Sequence, residues 1–227
     1  MLHEVSLPME NESAKSTGLK PLKITCTSTD CERNLHCFRM TKKLLSSGPS
    51  GRCRSCGVQL IDWARVHRRF LDDASHTFKV LQFELIRHHF WHIQLSEHAV
   101  NYARRKGLVL LRQAAERQIR QLIGDAKHPR EGFQTPRETS PHANAIHYSQ
   151  HATASCCRRC VAEWHGIPEG RPLSDDEIDY LTQLAMLYVK AQLPDLAEGP
   201  QRIPPIRRPV QSIARGVRGH EEHLRVS

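Results

Sequence analysis

The sequence lacks the patterns that would identify several common reactions. It has no GxxxxGK[ST] or GxGxxG segment, so phosphate-loop nucleotide hydrolysis and dinucleotide binding have no support. It also has no HExxH segment for a metalloprotease, and no His-x-Glu segment before a Pro-Cys-x-x-Cys segment for a nucleobase deaminase. A thioredoxin-like protein would need alternating strands, which the pattern does not predict. An unfamiliar metalloenzyme is not excluded.

Long apolar runs are missing as well. No stretch approaches the roughly 18 apolar residues that a membrane-spanning helix needs, and the start, MLHEVSLPMENESAKSTGLK, has no apolar signal-peptide core. We therefore expect a cytoplasmic protein without a membrane partner. In the reducing interior of a cell, the eight cysteines favour metal binding over disulfides.

Charge of one sign is in excess. The 227 residues include 33 Lys and Arg against 24 Asp and Glu, a formal net charge of +9. Such a balance favours attraction to polyanions, with nucleic acid the commonest. For any one basic cluster, a solvated helical face is the alternative explanation. The candidate nucleic-acid-binding residues are Arg68, Arg69, Arg104, Arg105, Lys106, Arg158 and Arg159.

The apolar periodicity predicts a mainly α fold. We expect a helical zinc-binding domain over 61–193, preceded by a small zinc-ribbon-like or treble-clef-like module over 22–60. Residues 1–21 are expected to form a flexible leader, and 194–227 a disordered basic tail rich in proline and arginine. Ser96 can cap a helix that Gly107 interrupts, and Ser174 with Glu177 predicts a capping box for the last helix.

The first cysteine group lies in a loop-rich stretch between Ile24 and Gly57. Cys53 and Cys56 stand in the segment GRCRSCG, whose two-residue spacing lets backbone amides fold around a metal-bound thiolate. Tetrahedral zinc needs two further ligands, and the stretch offers more candidates than places. The preferred set is Cys26, Cys31, Cys53 and Cys56, with Cys37 as the first substitute and His36 as a further candidate. A redox pair or no metal are the other interpretations.

The second group occupies the run HATASCCRRCVAEWHGIP. If residues 155–165 are helical, Cys156 and Cys160 lie at positions i and i+4, and Cys157 and Cys160 at i and i+3. The candidate ligands are His151, Cys156, Cys157, Cys160 and His165, with Cys156 either a ligand or a packing residue. Four protein ligands would make a structural site, whereas three ligands and a water would make a catalytic one; both stay open.

Three segments carry a resemblance to a known family. They are RRKGL at 104–108, QTP at 134–136 and QHATASCCRRCVAEWHGIPEGRPLSDDE at 150–177. From about Phe90 to Val189 the chain resembles the bacterial and phage family named domain of unknown function 4186. The resemblance implies a shared site with His151, Cys156, Cys157, Arg158, Cys160, Trp164 and His165, and no particular activity. The loop PRETSPHANAIHYS is longer than the family's usual connection, and the front cysteines and the tail lie outside the resemblance.

Two expected zinc modules among basic residues make nucleic-acid binding the leading hypothesis, as an accessory factor of a mobile element, phage or defence system. The first alternative is a metal-dependent enzyme acting on nucleic acid or a nucleotide. It would use zinc-bound water at the His151 and Cys160 site, with His142 or His147 as general base. The second alternative is a protein-interaction adaptor with structural zinc. Whether the protein is an enzyme is left undecided by the sequence.

Overall fold

A computed structural model describes residues 24–39, 51–125 and 143–204 of the chain. The predicted leader, most of the loop after Gly124 with His142, and the tail beyond residue 204 lie outside these ranges. Within them the protein forms seven α-helices, and β structure is limited to isolated bridges between single residues. The prediction of a mainly α fold is therefore confirmed. No helix in the described ranges has both the length and the apolar character needed to cross a membrane.

The helices vary widely in length. In chain order they are α1 (Trp63–Val66), α2 (Ala74–Val80), α3 (Leu85–His92), α4 (Glu97–Ile123), α5 (Ala145–Ala152), α6 (Arg158–His165) and α7 (Asp175–Gln192). Two short 3-10 turns, Cys31–Arg33 and Leu81–Phe83, complete the regular structure of the described ranges. The long helices α4 and α7 pack against each other, and α5 packs against both of them and against α3.

Helix α4 begins and bends where the sequence predicts. The Ser96 side chain caps its first turn. Gly107 has φ 66° and ψ 172°, a conformation that residues with a Cβ atom rarely adopt. A Cβ atom at Gly107 would also lie 2.3 Å from the carbonyl oxygen of Gly199. The glycine therefore permits both the bend and the close approach of the C-terminal segment.

That segment packs on α4 instead of leaving the domain after Pro194. The Leu108 amide, which the bend frees from the helix, donates to the carbonyl of Ala197 at 2.9 Å. Leu196 is buried in the same core as the inner face of α4. Residues 194–204, which the sequence pattern assigns to the tail, thus belong to the packed structure.

Helix α7 supplies much of the core that supports the sites. Ser174 and Glu177 form the expected capping box at its start. Its buried face joins two apolar clusters, one with α4 and α5 and the other with α2, α4 and α6. Burial of each large apolar side chain in such a core contributes about 1.5–3 kcal/mol.

The cysteine-rich front segment, residues 24–39 and 51–61, shares a core with the helices. Phe38 and Cys53 lie in one buried cluster with Cys156 and Trp164. The rings of Phe38 and Trp164 meet edge-on at 5.7 Å, and Trp63 packs at 5.2 Å from Trp164. The expected boundary near residue 60 therefore passes through a continuous hydrophobic cluster.

Candidate metal centres

Four side chains of the front segment form the first candidate metal centre. The sulfurs of Cys31, Cys53 and Cys56 and a ring nitrogen of His36 all lie within 4.8 Å of one another. The Cys31 and Cys53 sulfurs are 3.8 Å apart, and the Cys56 sulfur is 3.5 Å from His36 Nδ1. This group, the front cluster, could hold a metal ion.

Tight turns place the first two of these ligands. The 3-10 turn Cys31–Arg33 ends at Asn34, whose φ of 59° reverses the chain toward His36. The Asn34 side-chain oxygen lies 2.9 Å from His36 Nε2. The other ring nitrogen, Nδ1, faces the Cys56 sulfur at 3.5 Å.

Backbone amides surround the sulfur of Cys53. Burial raises the pKa of this thiol, but backbone hydrogen bonds from Cys37, Cys56 and Ser55 and a side-chain bond from His36 outweigh burial and lower it to about 6. A thiolate is the form of cysteine that binds metals. The turn thus has the arrangement of amides that the Cys-x-x-Cys spacing predicts.

The other two cysteines of the front segment lie apart from the front cluster. Cys37 is fully buried, and its thiol donates to the Cys26 carbonyl at 3.3 Å. Burial raises the pKa of Cys37 to about 11, so it stays a thiol at neutral pH. The structure therefore brings together three members of the preferred set and places His36 where Cys26 was expected.

Cys156, Cys157 and Cys160 form the second candidate metal centre, the three-cysteine cluster. Their sulfurs lie within 4.8 Å of one another, so they could also hold a metal ion. Helix α6 begins after Cys157, whose sulfur accepts from the Cys160 amide at 3.4 Å. Ala154, with φ 54°, turns the chain between α5 and α6. The cysteines meet through this turn and not through one continuous helix from residue 155.

A buried ion pair lies against the three-cysteine cluster. The Arg87 guanidinium donates to the Cys160 sulfur at 3.2 Å and to the Glu84 carboxylate at 2.9 Å. A weaker contact of 3.9 Å joins Arg87 to Cys156. Both members of the pair are only 2% exposed. Buried charges of this kind are costly unless they are paired, and Arg87 is paired with Glu84. Because its positive charge also lies against the sulfurs, the guanidinium stabilises negative charge on them.

That negative charge falls first on Cys160. Hydrogen bonds from Cys156 and Cys157, helped by Arg87, lower the pKa of Cys160 well below its ordinary value. The bonds to its neighbours raise the pKa of Cys156 well above the ordinary value. For Cys157, a bond from Cys156 lowers the pKa, but the bond to Cys160 and burial raise it to about 11. Cys160 is thus the first of the three thiols to lose its proton.

The histidines considered as ligands or bases have other surroundings. His165 Nε2 donates to the Thr153 carbonyl at 3.0 Å, and its ring meets Tyr180 edge-on, so it does not join the cysteines. The ring of His151 packs on Phe90 at 4.8 Å. Burial, with the Arg87 charge, lowers the pKa of His151 to about 3, so this imidazole is neutral. His147 closes the capping box of α5.

The candidate nucleic-acid-binding residues do not form one surface. Arg158 is completely buried, and its guanidinium donates to the carbonyls of Ile123, Pro168 and Arg171, so it acts within the core. The others engage partners near the surface. Arg69 donates to the His165 carbonyl, Arg104 pairs with Asp195, Arg105 donates to the carbonyls of Ile203 and Pro204, and Arg159 pairs with Glu163. Arg68 lies over the Phe70 ring and Lys106 over the Tyr102 ring.

Sequence reasoning missed two pairs of residues. Glu84 and Arg87 are spaced like an ordinary exposed ion pair on a helix, and no sequence signal marks them as buried. Arg52 and Arg54 flank Cys53 directly, so their alternation with a ligand was visible in the segment GRCRSCG. The first pair matters for the three-cysteine cluster, and the second for the surface of the front cluster.

The three-cysteine cluster lies in the part of the chain that matches a known protein family. No solved structure matches the chain. A family model matches residues 75–190, which include Glu84, Arg87 and all three cysteines of the three-cysteine cluster, whereas the front cluster precedes the match. Since the match covers just over half of the chain, the protein belongs to the family described as Domain of unknown function (DUF4186).

Proposed function

We propose that zinc occupies both clusters. Around tetrahedral zinc, with bonds of about 2.3 Å to sulfur and about 2.0 Å to nitrogen, two sulfurs lie about 3.8 Å apart and a sulfur and a nitrogen about 3.5 Å apart. The corresponding distances in the front cluster are 3.8 Å and 3.5 Å. This agreement supports a structural site of Cys31, His36, Cys53 and Cys56. The three-cysteine cluster offers three soft sulfur ligands, which suit the same ion.

The function that we propose is metal-dependent binding of nucleic acid through the front segment. The observation that carries it is the alternation of arginine with metal ligands in one turn. Arg52 and Arg54 flank Cys53, and Cys56 closes the same turn. Arg52 is exposed, and the Arg54 amide is fixed by a 2.9 Å bond to the Cys37 carbonyl. Metal binding would hold two guanidinium groups on a rigid surface turn, which suits contact with successive phosphates.

Most of the positive net charge lies outside the described residues. The described residues contain 20 Lys and Arg and 17 Asp and Glu, which account for +3 of the net charge of +9. The remaining excess lies elsewhere in the chain, including five arginines against two glutamates in residues 205–227. We propose that these basic residues add affinity that does not depend on base sequence.

Fluorescence anisotropy with labelled single- and double-stranded DNA and RNA at low salt tests the proposal, since phosphate-driven affinity is largest there. The variant Arg52→Met/Arg54→Met should weaken binding about tenfold and reduce the salt dependence of log K by about two. The matched control is Arg112→Met/Arg120→Met, which removes two arginines that are ion-paired with Asp179 and Asp175.

The control should bind like the wild type. Absence of binding to all four nucleic acids at low salt would refute the proposed function. Equal weakening by both double variants would refute the role of the front turn and leave only general charge attraction.

A protein-interaction adaptor with structural zinc is the second candidate. Its support is the exposure of two adjacent apolar side chains, Phe70 at 55% and Leu71 at 48%. Co-purification of one stoichiometric protein without nucleic acid would favour it. A metalloenzyme has less support, because it needs a metal-bound water in an accessible cleft, and Cys156 and Cys160 are only 5% and 2% exposed.

A further inference from the structure

A buried carboxylate lies between the two clusters. Glu84 Oε1 accepts a hydrogen bond from the Phe38 amide at 3.3 Å, within the front segment. Its Oε2 accepts from Trp164 Nε1 at 2.7 Å, on helix α6, and from Arg87 Nε at 2.9 Å. Three donors from three parts of the chain therefore meet on one side chain.

The backbone beside Glu84 holds a ligand of the front cluster. The His36 amide donates to the Phe83 carbonyl at 2.7 Å, and the Leu85 amide donates to the His36 carbonyl at 2.9 Å. These bonds form a parallel bridge between His36 and Glu84. Any shift of His36 is thus transmitted directly to the residue that carries the buried carboxylate.

Arg87 completes the connection to the other cluster. While its Nε is held by Glu84, its other nitrogens donate to the Cys160 sulfur at 3.2 Å and to the His151 carbonyl at 2.7 Å. The guanidinium is planar, so fixing one edge fixes the direction of the other. Hydrogen bonds, linked through the covalent chain at Glu84, therefore connect the His36 backbone to the Cys160 sulfur.

We infer that Glu84 and Arg87 are positioning residues that couple zinc binding at the three-cysteine cluster to zinc binding at the front cluster. The inference rests on the proposed binding of zinc at both sites. Zinc at the front cluster fixes His36 and the adjoining backbone, and these hold Glu84 and hence the orientation of Arg87. Arg87 then offsets the net negative charge that three thiolates and one divalent ion leave in the core.

Such coupling is reciprocal, and typical values change an affinity by about 5- to 150-fold. The test uses the full chain and competition for zinc with a chromophoric chelator. Cys53→Ser/Cys56→Ser removes the front site and should weaken zinc binding at the three-cysteine cluster about tenfold relative to the same site in the wild type. Cadmium-113 NMR identifies the site, because a Cys3His centre and a three-cysteine centre give different chemical shifts.

A thermodynamic cycle assigns the coupling to Glu84. In a Glu84→Gln background, the same double substitution should change the affinity of the three-cysteine cluster less than about twofold. The matched control is Glu177→Gln, another buried carboxylate paired with an arginine, which lies outside both clusters and should leave the tenfold effect intact. If Glu84→Gln does not fold, Trp164→Phe removes one of the three donors and serves in its place.

Unchanged affinity of the three-cysteine cluster after loss of the front site would overturn the inference. An equal loss of affinity in the wild-type and Glu84→Gln backgrounds would also overturn it. A wild-type chain that binds two zinc ions but no nucleic acid refutes only the proposed function. A chain that binds no zinc refutes both the proposed metal sites and their coupling.

Discussion

The two clusters stabilise their cysteine ligands in different ways. The front cluster is built from two tight turns, and Cys56 lies at the surface. Backbone amides and Asn34 stabilise its ligands locally. In the three-cysteine cluster, Cys156 and Cys160 are buried in the core. The cluster depends on a charged pair, Glu84 and Arg87, at the start of helix α3, about seventy positions earlier in the chain. Backbone amides offset the burial of Cys53 in the front cluster, whereas the charge of Arg87 offsets the burial of Cys160 in the three-cysteine cluster.

The largest expected effect is at the buried guanidinium. Arg87→Met leaves Glu84 and the thiolates without their counter-charge, so we expect the free energy of unfolding to fall by about 3–5 kcal/mol. Urea denaturation with zinc present measures it. Arg120→Met, which breaks exposed pairs with Glu116 and Asp175, should change stability by about 1 kcal/mol or less. Similar small losses for both variants would mean that the buried pair does not stabilise the centre.

Two of the three tryptophans, Trp63 and Trp164, allow buried and partly buried hydrogen bonds to be compared. Trp164→Phe leaves Glu84 without one of its buried donors and should cost about 1–3 kcal/mol. Trp63→Phe removes a bond to the Gly51 carbonyl in the partly buried front turn and should cost about 1 kcal/mol. Thermal or urea unfolding ranks the two variants. The opposite order would show that the front turn, and not Glu84, is the more sensitive point.

The two clusters should release zinc at different rates. A chelator can reach the front cluster through the exposed Cys56, whereas in the three-cysteine cluster Cys157 is only partly exposed and the other two sulfurs are buried, so we expect slower release there. Stopped-flow release of zinc should therefore be biphasic, with rates that differ on the order of tenfold or more. Cys53→Ser/Cys56→Ser should abolish the fast phase and leave one phase from the three-cysteine cluster. A single phase, or loss of the slow phase in that variant, would contradict the difference in access.

The most local of the expected effects concerns the support of one ligand. Asn34→Gly keeps the left-handed conformation at this position but removes the hydrogen bond to His36 Nε2. Loss of such a supporting bond typically lowers metal affinity by about tenfold or more. In a Cys157→Ser/Cys160→Ser background, zinc titration reports the front cluster alone. An unchanged affinity would mean that the turn itself orients the imidazole.

Much of the fold follows from local sequence chemistry. The cap at Ser96, the bend at Gly107 and the capping box at Ser174 were all predicted, because each depends on residues close together in the chain. The Cys53 and Cys56 turn was predicted for the same reason. Local patterns account for these features because the required partners lie within a few residues.

The features that could not be predicted from the sequence depend on tertiary contacts. His36 and Cys26 both have spacings that suit a zinc ligand, and the bridges from Leu35 to Asp30 and from His36 to Glu84 place His36 at the front cluster. Arg158 belongs to a basic run, yet three backbone carbonyls draw it into the core. Glu84 and Arg87 have the spacing of an exposed helical pair, but in the fold the Phe38 amide and Trp164 Nε1 donate to Glu84 in the core. Each of these outcomes depends on residues that are distant in the chain.

Zinc content with X-ray absorption at the zinc edge tests the central claim most directly. We expect two zinc ions per wild-type chain in sulfur-rich shells. We expect one ion in Cys53→Ser/Cys56→Ser, bound by sulfur from the three-cysteine cluster. Cys157→Ser/Cys160→Ser should also retain one ion, bound by three sulfurs and one nitrogen. Equal zinc content in all three proteins, or shells dominated by oxygen and nitrogen, would contradict two separate cysteine-based centres.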